Sequence, residues 1–329
     1  MNRLTRSLGS LLLGCTVWAL PIAAFAEYPD KPIRLIVPQA AGSATDTVAR
    51  ILAAELGPQL GGVTIVVEDK PGAAFTIGLD LVAKAAPDGY TVGIGPIGAL
   101  AISPNMVPKL PYVIAKDLQP IALIVHGHLM LVVSAKSDIK SVKELIAKAK
   151  ANPGKLTNAS SANGSPGHVG GELFKYMTST QIQHVPYRGG AAATSDLLAG
   201  HVDLTCPEAG QTLALYRSGK IKAYAVMDET RWFAAPDVPT TDEAGAPGLH
   251  MTFWYGLWAP AGTPRDIIAK LNAAVVETFA DPGVRARLTE EGHVIPTREQ
   301  LTPEALGAHH KAEIEKWWPM IKAAGIKIQ

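Results

Sequence analysis

The chain has 329 residues, 47% hydrophobic and 18% charged, a composition typical of globular proteins that excludes disorder of the whole chain. At roughly 150 residues per domain, this length predicts about two domains. The 30 basic and 29 acidic residues give a net charge of +1, which offers no electrostatic basis for binding nucleic acid or an anionic membrane.

Residues 1–26 are predicted to be a secretory signal peptide. Arg3 and Arg6 precede a long uncharged stretch that ends in AFA, and small residues two apart are typical of a cleavage site. Cleavage after this motif leaves 28 basic and 29 acidic residues, a net charge of −1. The sequence LLGC, which ends at Cys15, leaves open lipidation at that cysteine instead. In both cases we expect export to the periplasm.

The first part of the mature chain alternates strands and helices. The runs PIRLIVP, GVTIVVED and YTVGIG are predicted strands. TDTVARILAAEL and FTIGLDLVAKA are predicted helices, because their apolar residues recur at helical spacing. This order favours an α/β fold with a mostly parallel sheet and helices on both faces.

The alternation of strands and helices begins again after DLQPIALIVHGHLMLVVSA, which is predicted to be a strand that crosses between two lobes. Strands and helices then alternate again, and MTFWYGLWAP is predicted to return the chain to the first lobe. We therefore predict that residues 27–127 and 252–329 form lobe 1 and that residues 128–251 form lobe 2.

Two strand-to-helix loops of small residues are candidate anion-binding sites. The first is QAAGSATD, in which Ser43 or Thr45 is a candidate N-cap and Asp46 lies in the first helical turn. The second is NASSANGSPGH, in which Ser165 and Pro166 form a strong helix start. If there were only one such loop, the need to turn the chain and cap a helix would be enough to explain its small residues. Two loops that face each other at the carboxyl ends of strands predict a clamp for an anion.

The sequence resembles the Bug family, the periplasmic solute-binding receptors of tripartite tricarboxylate transporters. The resemblance is carried, in order, by YPDKPIRLIVPQAAGSATDTVARILAAEL, APDGYTVGIG, NASSANGSPGHVGGELFKYM, QHVPYRGGAAATSDLLAGHVDL and YGLWAPAGTP, and it covers nearly the whole mature chain. It implies a two-lobed, type II-like periplasmic-binding-protein fold, in which each lobe is a mixed, mostly parallel sheet flanked by helices. It also implies a monomeric, non-enzymatic receptor without metal or cofactor, which passes a small organic acid to membrane transporter subunits.

The resemblance further implies that three loops hold one carboxylate of the ligand. Carried onto this chain, they offer Gln39, Ala40, Ala41, Gly42, Ser43 and Asp46 in the first loop, Gly95, Pro96, Ile97 and Gly98 after the third strand, and Ser161, Asn163, Ser165 and His168 in the second lobe. Tyr187 and Arg188 are weaker candidates.

The chain departs from the family pattern at three places. Pro96 removes an N–H group and Ile97 adds bulk, Phe75 interrupts a loop that is usually glycine-rich, and Pro207-Glu208 replaces a usual Asp-Asn pair. Glu208 would repel a second carboxylate. We hypothesise that it faces an amino, amide or hydroxyl group of the ligand. The ligand itself stays open among aliphatic dicarboxylates, aromatic acids, amino acids and nicotinate-like compounds.

Other functions fit less well. GIGPIG matches a dinucleotide-binding pattern, but the residues after Pro96 are not predicted to open the helix that the fingerprint requires. His126 and His128, or His309 and His310, offer too few converging metal ligands. Cys206 is predicted to be buried, and we find no nucleophile with a base. A periplasmic partner of a membrane sensor kinase remains an alternative, since it would use the same fold.

Overall fold

The computed structural model describes residues 28–107 and 109–327. Two five-stranded sheets flanked by helices confirm the predicted α/β, two-lobed architecture. The predicted signal peptide and Cys15 lie outside the described residues. The strands are β1 (Ile33–Val37), β2 (Ile65–Asp69), β3 (Thr91–Pro96), β4 (Leu118–His128), β5 (Met130–Ser134), β6 (Thr157–Ser160), β7 (Gln183–Pro186), β8 (Leu204–Thr205), β9 (Ile221–Val226) and β10 (Thr252–Pro260). The helices are α1 (Ala44–Gln59), α2 (Thr76–Ala83), α3 (Ser103–Met106), α4 (Ile114–Asp117), α5 (Val142–Ala151), α6 (Pro166–Thr178), α7 (Gly190–Ala199), α8 (Ala209–Arg217), α9 (Thr241–Ala244), α10 (Arg265–Ala280), α11 (Pro282–Glu290) and α12 (Pro303–Ala323).

The two sheets have the same design. The first has the order β2-β1-β3-β10-β4, with β1 parallel to β2 and β3 and with β10 antiparallel to β3 and β4. The second has the order β7-β6-β8-β5-β9, with β6 parallel to β7 and β8 and with β5 antiparallel to β8 and β9. Strands β1 and β6 are therefore equivalent, and each leads into one of the two predicted clamp loops. We call the part of the chain around each sheet the first and the second lobe.

The chain passes between the sheets at two places, and both are hydrogen-bonded to Met227. Leu129 separates β4 from β5, and Met251 precedes β10. The N–H of Met227 donates to the carbonyl of Leu129 at 2.9 Å, and the N–H of Met251 donates to the carbonyl of Met227 at 2.8 Å. The exact domain boundaries predicted above remain a proposal.

The segment after β3 differs from the expectation. Residues 98–102 form a π-helical turn that continues into α3, so the expectation that no helix follows GIGPIG is wrong. Every residue of this turn is buried, and core packing therefore stabilises a helix that sequence propensity alone does not indicate. A Cβ atom at Gly95, the glycine that this fingerprint would place against a pyrophosphate, would lie 2.7 Å from the side chain of Leu100, so protein fills that space.

The described part of the chain has no helix with the length and apolar character needed to cross a bilayer. Its cores are built from the buried faces of both sheets, and the interior strand β10 is buried along almost its whole length.

Candidate ligand-binding cleft

The first-lobe loop, between β1 and α1, is fixed by its own hydrogen bonds. The N–H of Ser43 donates to the carbonyl of Ala40 at 3.1 Å, and the Ser43 hydroxyl accepts the N–H of Asp46 at 3.2 Å. Gly42, with φ of +75°, donates its N–H to Asp46 Oδ2 at 2.7 Å. The other oxygen of Asp46 pairs with Arg50 Nε at 2.7 Å. Both oxygens of this buried carboxylate are thus occupied within the loop and its helix.

The second-lobe loop, between β6 and α6, repeats this geometry. The N–H of Ser165 donates to the carbonyl of Ala162 at 3.2 Å, and the Ser165 hydroxyl accepts the N–H of His168 at 3.2 Å. Gly164, with φ of +76°, donates its N–H to His168 Nδ1 at 3.1 Å. In both loops only glycine adopts this left-handed conformation at little cost.

His168 stacks on His184, with ring centroids 4.0 Å apart. Burial lowers the pKa of His168 to about 3 and that of His184 to about 4. His184 Nε2 lies 2.6 Å from the hydroxyl of Ser160, which donates to the carbonyl of Ala162. The neutral pair of His168 and His184 therefore stabilises the second loop through hydrogen bonds to Gly164 and Ser160.

A cleft of about 900 Å³ lies between the lobes, at the carboxyl ends of β1, β2, β6 and β7. Four predicted site residues line it: Gln39 and Ala40 from the first loop, and Ser161 and Asn163 from the second. The weaker candidates, Tyr187 and Arg188, line it as well.

The charged residues of this cleft are all basic. Arg188 and Lys327 line it, whereas no Asp or Glu does. Both cations are exposed, and neither forms an ion pair within the described part of the chain. The hydroxyl of Ser161 likewise makes no hydrogen bond to any described residue. The cleft thus offers donors and positive charge to a ligand.

The other predicted residues lie elsewhere. Ser43, Asp46, Ser165 and His168 are buried in the capping networks, and Gly95, Pro96, Ile97 and Gly98 are buried in β3 and the turn that follows. Ala41 is exposed beside the cleft without lining it. Gly42 and Glu208 line a separate cavity of about 390 Å³ on the other side of the first loop, together with Glu291 and His293.

Glu208 contacts the first lobe directly. Its carboxylate accepts a hydrogen bond from the hydroxyl of Tyr255, a fully buried residue of β10. Burial raises the pKa of Glu208 to about 7, and the bond from Tyr255 opposes this rise. The Glu208 carboxylate, expected to face a polar group of the ligand, thus has a protein partner in the first lobe.

The lobes touch at backbone level at two places. Gly98 of the first lobe packs against the carbonyl of Gly164. A Cβ atom at Gly210, at the start of α8, would lie 1.9 Å from the carbonyl oxygen of Glu291. Together with the bond between Tyr255 and Glu208, these are direct contacts between the two lobes.

Sequence reasoning missed several residues that line the cleft. The first lobe contributes Pro38, Pro71 and Phe75. It also contributes Met106, the last residue of α3, and Val107, which follows it. Lys327 comes after the last helix. Phe75 ends a run of three non-glycine residues with positive φ, Ala73 (+46°), Ala74 (+51°) and Phe75 (+74°), which follows Gly72 at +126°. Only the proline-glycine pair before this run indicated a special turn.

No group of three or more potential metal ligands lies together in the described residues.

Comparisons with known proteins agree with this geometry. Residues 48–326 match the model of a family described as tripartite tricarboxylate transporter family receptor. The structure of the periplasmic binding protein BugD is 36% identical and covers 92% of this chain and 100% of its own, with a TM-score of 0.86. Rpa4515 of R. palustris, solved with adipate, is 34% identical, covers 92% and 99%, and has a TM-score of 0.87. MatC of Rhodopseudomonas palustris, solved with malate, is 35% identical, covers 89% and 100%, and has a TM-score of 0.86. These likenesses confirm the periplasmic-binding-protein fold.

Proposed function

The chain belongs to the tripartite tricarboxylate transporter receptor family, and from this membership we propose that it is a periplasmic receptor that captures an organic acid between its lobes and delivers it to membrane subunits of such a transporter. The predicted signal peptide supports the periplasmic location. Two structurally similar proteins solved with carboxylates, adipate and malate, support the class of ligand.

The observation that carries the proposal is the charge of the cleft. Arg188 and Lys327 are cations without an ion-pair partner in the described residues, and no carboxylate lines the same space. An anion bound there gains Coulomb attraction from both side chains, whereas a cation would be repelled. The free hydroxyl of Ser161 adds a donor for a carboxylate oxygen.

The smaller cavity is a weaker candidate for the same ligand. Glu208 and Glu291 both line it, and two carboxylates disfavour an organic anion. One oxygen of the Glu208 carboxylate also already accepts a hydrogen bond from the Tyr255 hydroxyl. We therefore assign ligand capture to the larger cleft.

The test compares acids with their amides, which have nearly the same shape and no charge. The mature protein, unfolded and refolded to remove bound ligand, is titrated by calorimetry with aliphatic and aromatic acid–amide pairs. We expect at least one acid to bind and its amide to bind at least tenfold more weakly. An amide that binds as tightly as its acid, or binding of amines alone, would overturn the proposal. Uptake of the bound acid by cells that lack this chain then tests delivery, and unchanged uptake would contradict a transport role.

A further inference from the structure

Within this proposed function, on which the inference rests, we infer that the cleft selects an organic acid with a bulky, aromatic-sized apolar body over compact dicarboxylates such as malate and adipate. The cleft's size, the chemistry of its walls, the contacts between the lobes and the exposure of its charges support this inference.

The size of the cleft exceeds what a compact diacid fills. Small-molecule sites span roughly 300–1,000 Å³, and about 900 Å³ lies near the top of that range. A compact diacid in this space would leave apolar walls facing water or a void, and an unfilled apolar wall loses its dispersion contacts.

The walls of the cleft are mostly apolar. Pro38, Phe75, Met106 and Val107 line it from the first lobe, and Pro186 lines it from the second. Phe75 is 3% exposed and Met106 is 9% exposed, so both are held by packing and present firm surfaces. Polar carbon chains with several hydroxyl or carboxyl groups would lose hydration against these residues without gaining hydrogen bonds.

The cleft has this volume while the lobes touch. The backbones of Gly98 and Gly164 are in contact, and Gly210 touches the backbone at Glu291. The space of about 900 Å³ is therefore present with both contacts made.

The charged groups of the cleft are exposed, whereas two of its large apolar residues are buried. Arg188 and Lys327 are exposed, whereas Phe75 and Met106 are buried. This arrangement fits a molecule with one anionic end and an apolar body. Tyr187, half-buried and with its hydroxyl bonded to Asp196 Oδ2 at 2.6 Å, offers a fixed ring beside the cationic side.

The experiment measures affinities of the refolded mature protein for malate, adipate, benzoate and 2-naphthoate, with 2-naphthamide as the neutral match. We expect 2-naphthoate to bind at least tenfold more tightly than malate or adipate, and 2-naphthamide to bind more weakly than 2-naphthoate. Circular dichroism before and after refolding checks the fold, and mass spectrometry of protein that was never unfolded identifies any acid retained from the cell, which we expect to be aromatic or similarly bulky.

The outcomes separate the two proposals. If malate or adipate binds as tightly as 2-naphthoate, or is the acid retained from the cell, the inference fails and the proposed function stands. If no acid binds and none is retained, both fail.

A pair of variants locates the effect. Tyr187→Ala removes the ring, and we expect about a tenfold loss of 2-naphthoate affinity with little change for benzoate. Tyr187→Phe keeps the ring and loses the bond to Asp196, and we expect nearly unchanged affinity. Equal losses in both variants would show that the hydrogen bond matters and that the ring does not, which contradicts an aromatic wall.

Discussion

Asp46 and His168 occupy equivalent positions in the two lobes: each is the third residue after a serine N-cap, and each accepts the N–H of the glycine four residues before it. The chemistry of the two acceptors differs. Asp46 is paired with Arg50, whereas His168 is neutral and stacks on His184. The two halves of the clamp thus share one backbone geometry that is stabilised by a charge in the first lobe and by a neutral ring in the second.

Removing the caps should destabilise each lobe by a similar amount. Ser43→Ala and Ser165→Ala each delete the hydroxyl that accepts a helix N–H, and we expect the free energy of unfolding to fall by about 1 kcal/mol per substitution in urea denaturation. Because the sites lie in different lobes, the double variant should show the sum of the two effects. Ser195→Ala, on the exposed side of α7, is the control. A loss no larger than that of the control would contradict the capping role.

Stability should fall as the pH is lowered from 7 toward 4. Burial lowers the pKa of His168 to about 3 and the pKa of both His184 and His293 to about 4, from an ordinary value of 6.5. Between these values the unfolded chain binds more protons, so unfolding is favoured as the pH falls, by up to about 1.4 kcal/mol per pH unit for each histidine. Glu208 acts in the opposite direction, since its pKa of about 7 lies above the ordinary 4.5 and its protonated form favours the folded state.

A difference measurement isolates one of these groups. Urea denaturation of the parent chain and of His293→Gln is compared at several pH values from 4 to 7.5. We expect the variant to lose about 1.4 kcal/mol per pH unit of slope between pH 6 and 5. Identical slopes would mean that His293 titrates normally in the folded protein.

Breaking the bond between Tyr255 and Glu208 should loosen the contact between the lobes. Tyr255→Phe leaves the Glu208 carboxylate without its donor in a desolvated site, and we expect the free energy of unfolding at pH 8 to fall by about 1–3 kcal/mol. At pH 5.5, where Glu208 is protonated, the loss should be smaller. Small-angle scattering of the ligand-free variant should show a larger radius of gyration, and an unchanged radius would argue against a role in holding the lobes together.

The two cations of the cleft should contribute to affinity for the bound acid. Arg188→Gln and Lys327→Gln each remove one exposed charge, and we expect each to weaken binding roughly fivefold at low salt and less at high salt. Lys150→Gln, an exposed charge on α5, is the matched control and should leave affinity unchanged. Affinity that is independent of both charge and salt would show that backbone donors alone hold the anion.

The loop before α2 should be strained. Ala74 has φ of +51° within three consecutive left-handed residues, each of which costs roughly 1–2 kcal/mol. Ala74→Gly relieves this cost, and we expect a net stabilisation of about 0.5–1 kcal/mol after the added chain entropy of glycine. The control Ala147→Gly, in the middle of α5, should destabilise by about 1 kcal/mol. A loss at both positions would show that Ala74 is unstrained.

The order of strands and helices could be predicted because it depends on local patterns. Apolar runs such as those of β1 and β3, helical spacing in α1, and the caps at Ser43 and Ser165 are all written within a few residues of sequence. The π-helical turn after β3 could not be predicted, because burial on all sides stabilises it and no local signal does.

The candidate site was harder to predict than the fold. Which side of a capping loop faces the cleft depends on how the two lobes pack together. The sequence alone therefore predicts both Ser43 and Gln39 as ligand-binding residues, although only Gln39 lines the cleft. Arg188 and Lys327 lie far apart in the sequence, and only the folding of the chain places both of them at the same cleft. Phe75 was noticed as a departure, yet its role as a wall depends on a left-handed conformation that is rare for phenylalanine.

The glycines at the lobe contact set a limit on how the receptor can vary. A methyl group at Gly98 would press on the Gly164 carbonyl and one at Gly210 would press on the carbonyl of Glu291, so either would act as a wedge that props the lobes apart. At Gly98 the methyl group would also lie 3.0 Å from the ring of Phe75, whereas a wedge at Gly210 leaves the side chains that line the cleft in place and changes only the fraction of molecules able to shut. Apparent affinity would then fall in proportion to that fraction while the preference among ligands stayed the same. Strength of capture and choice of ligand are therefore governed by different parts of this molecule and can evolve separately.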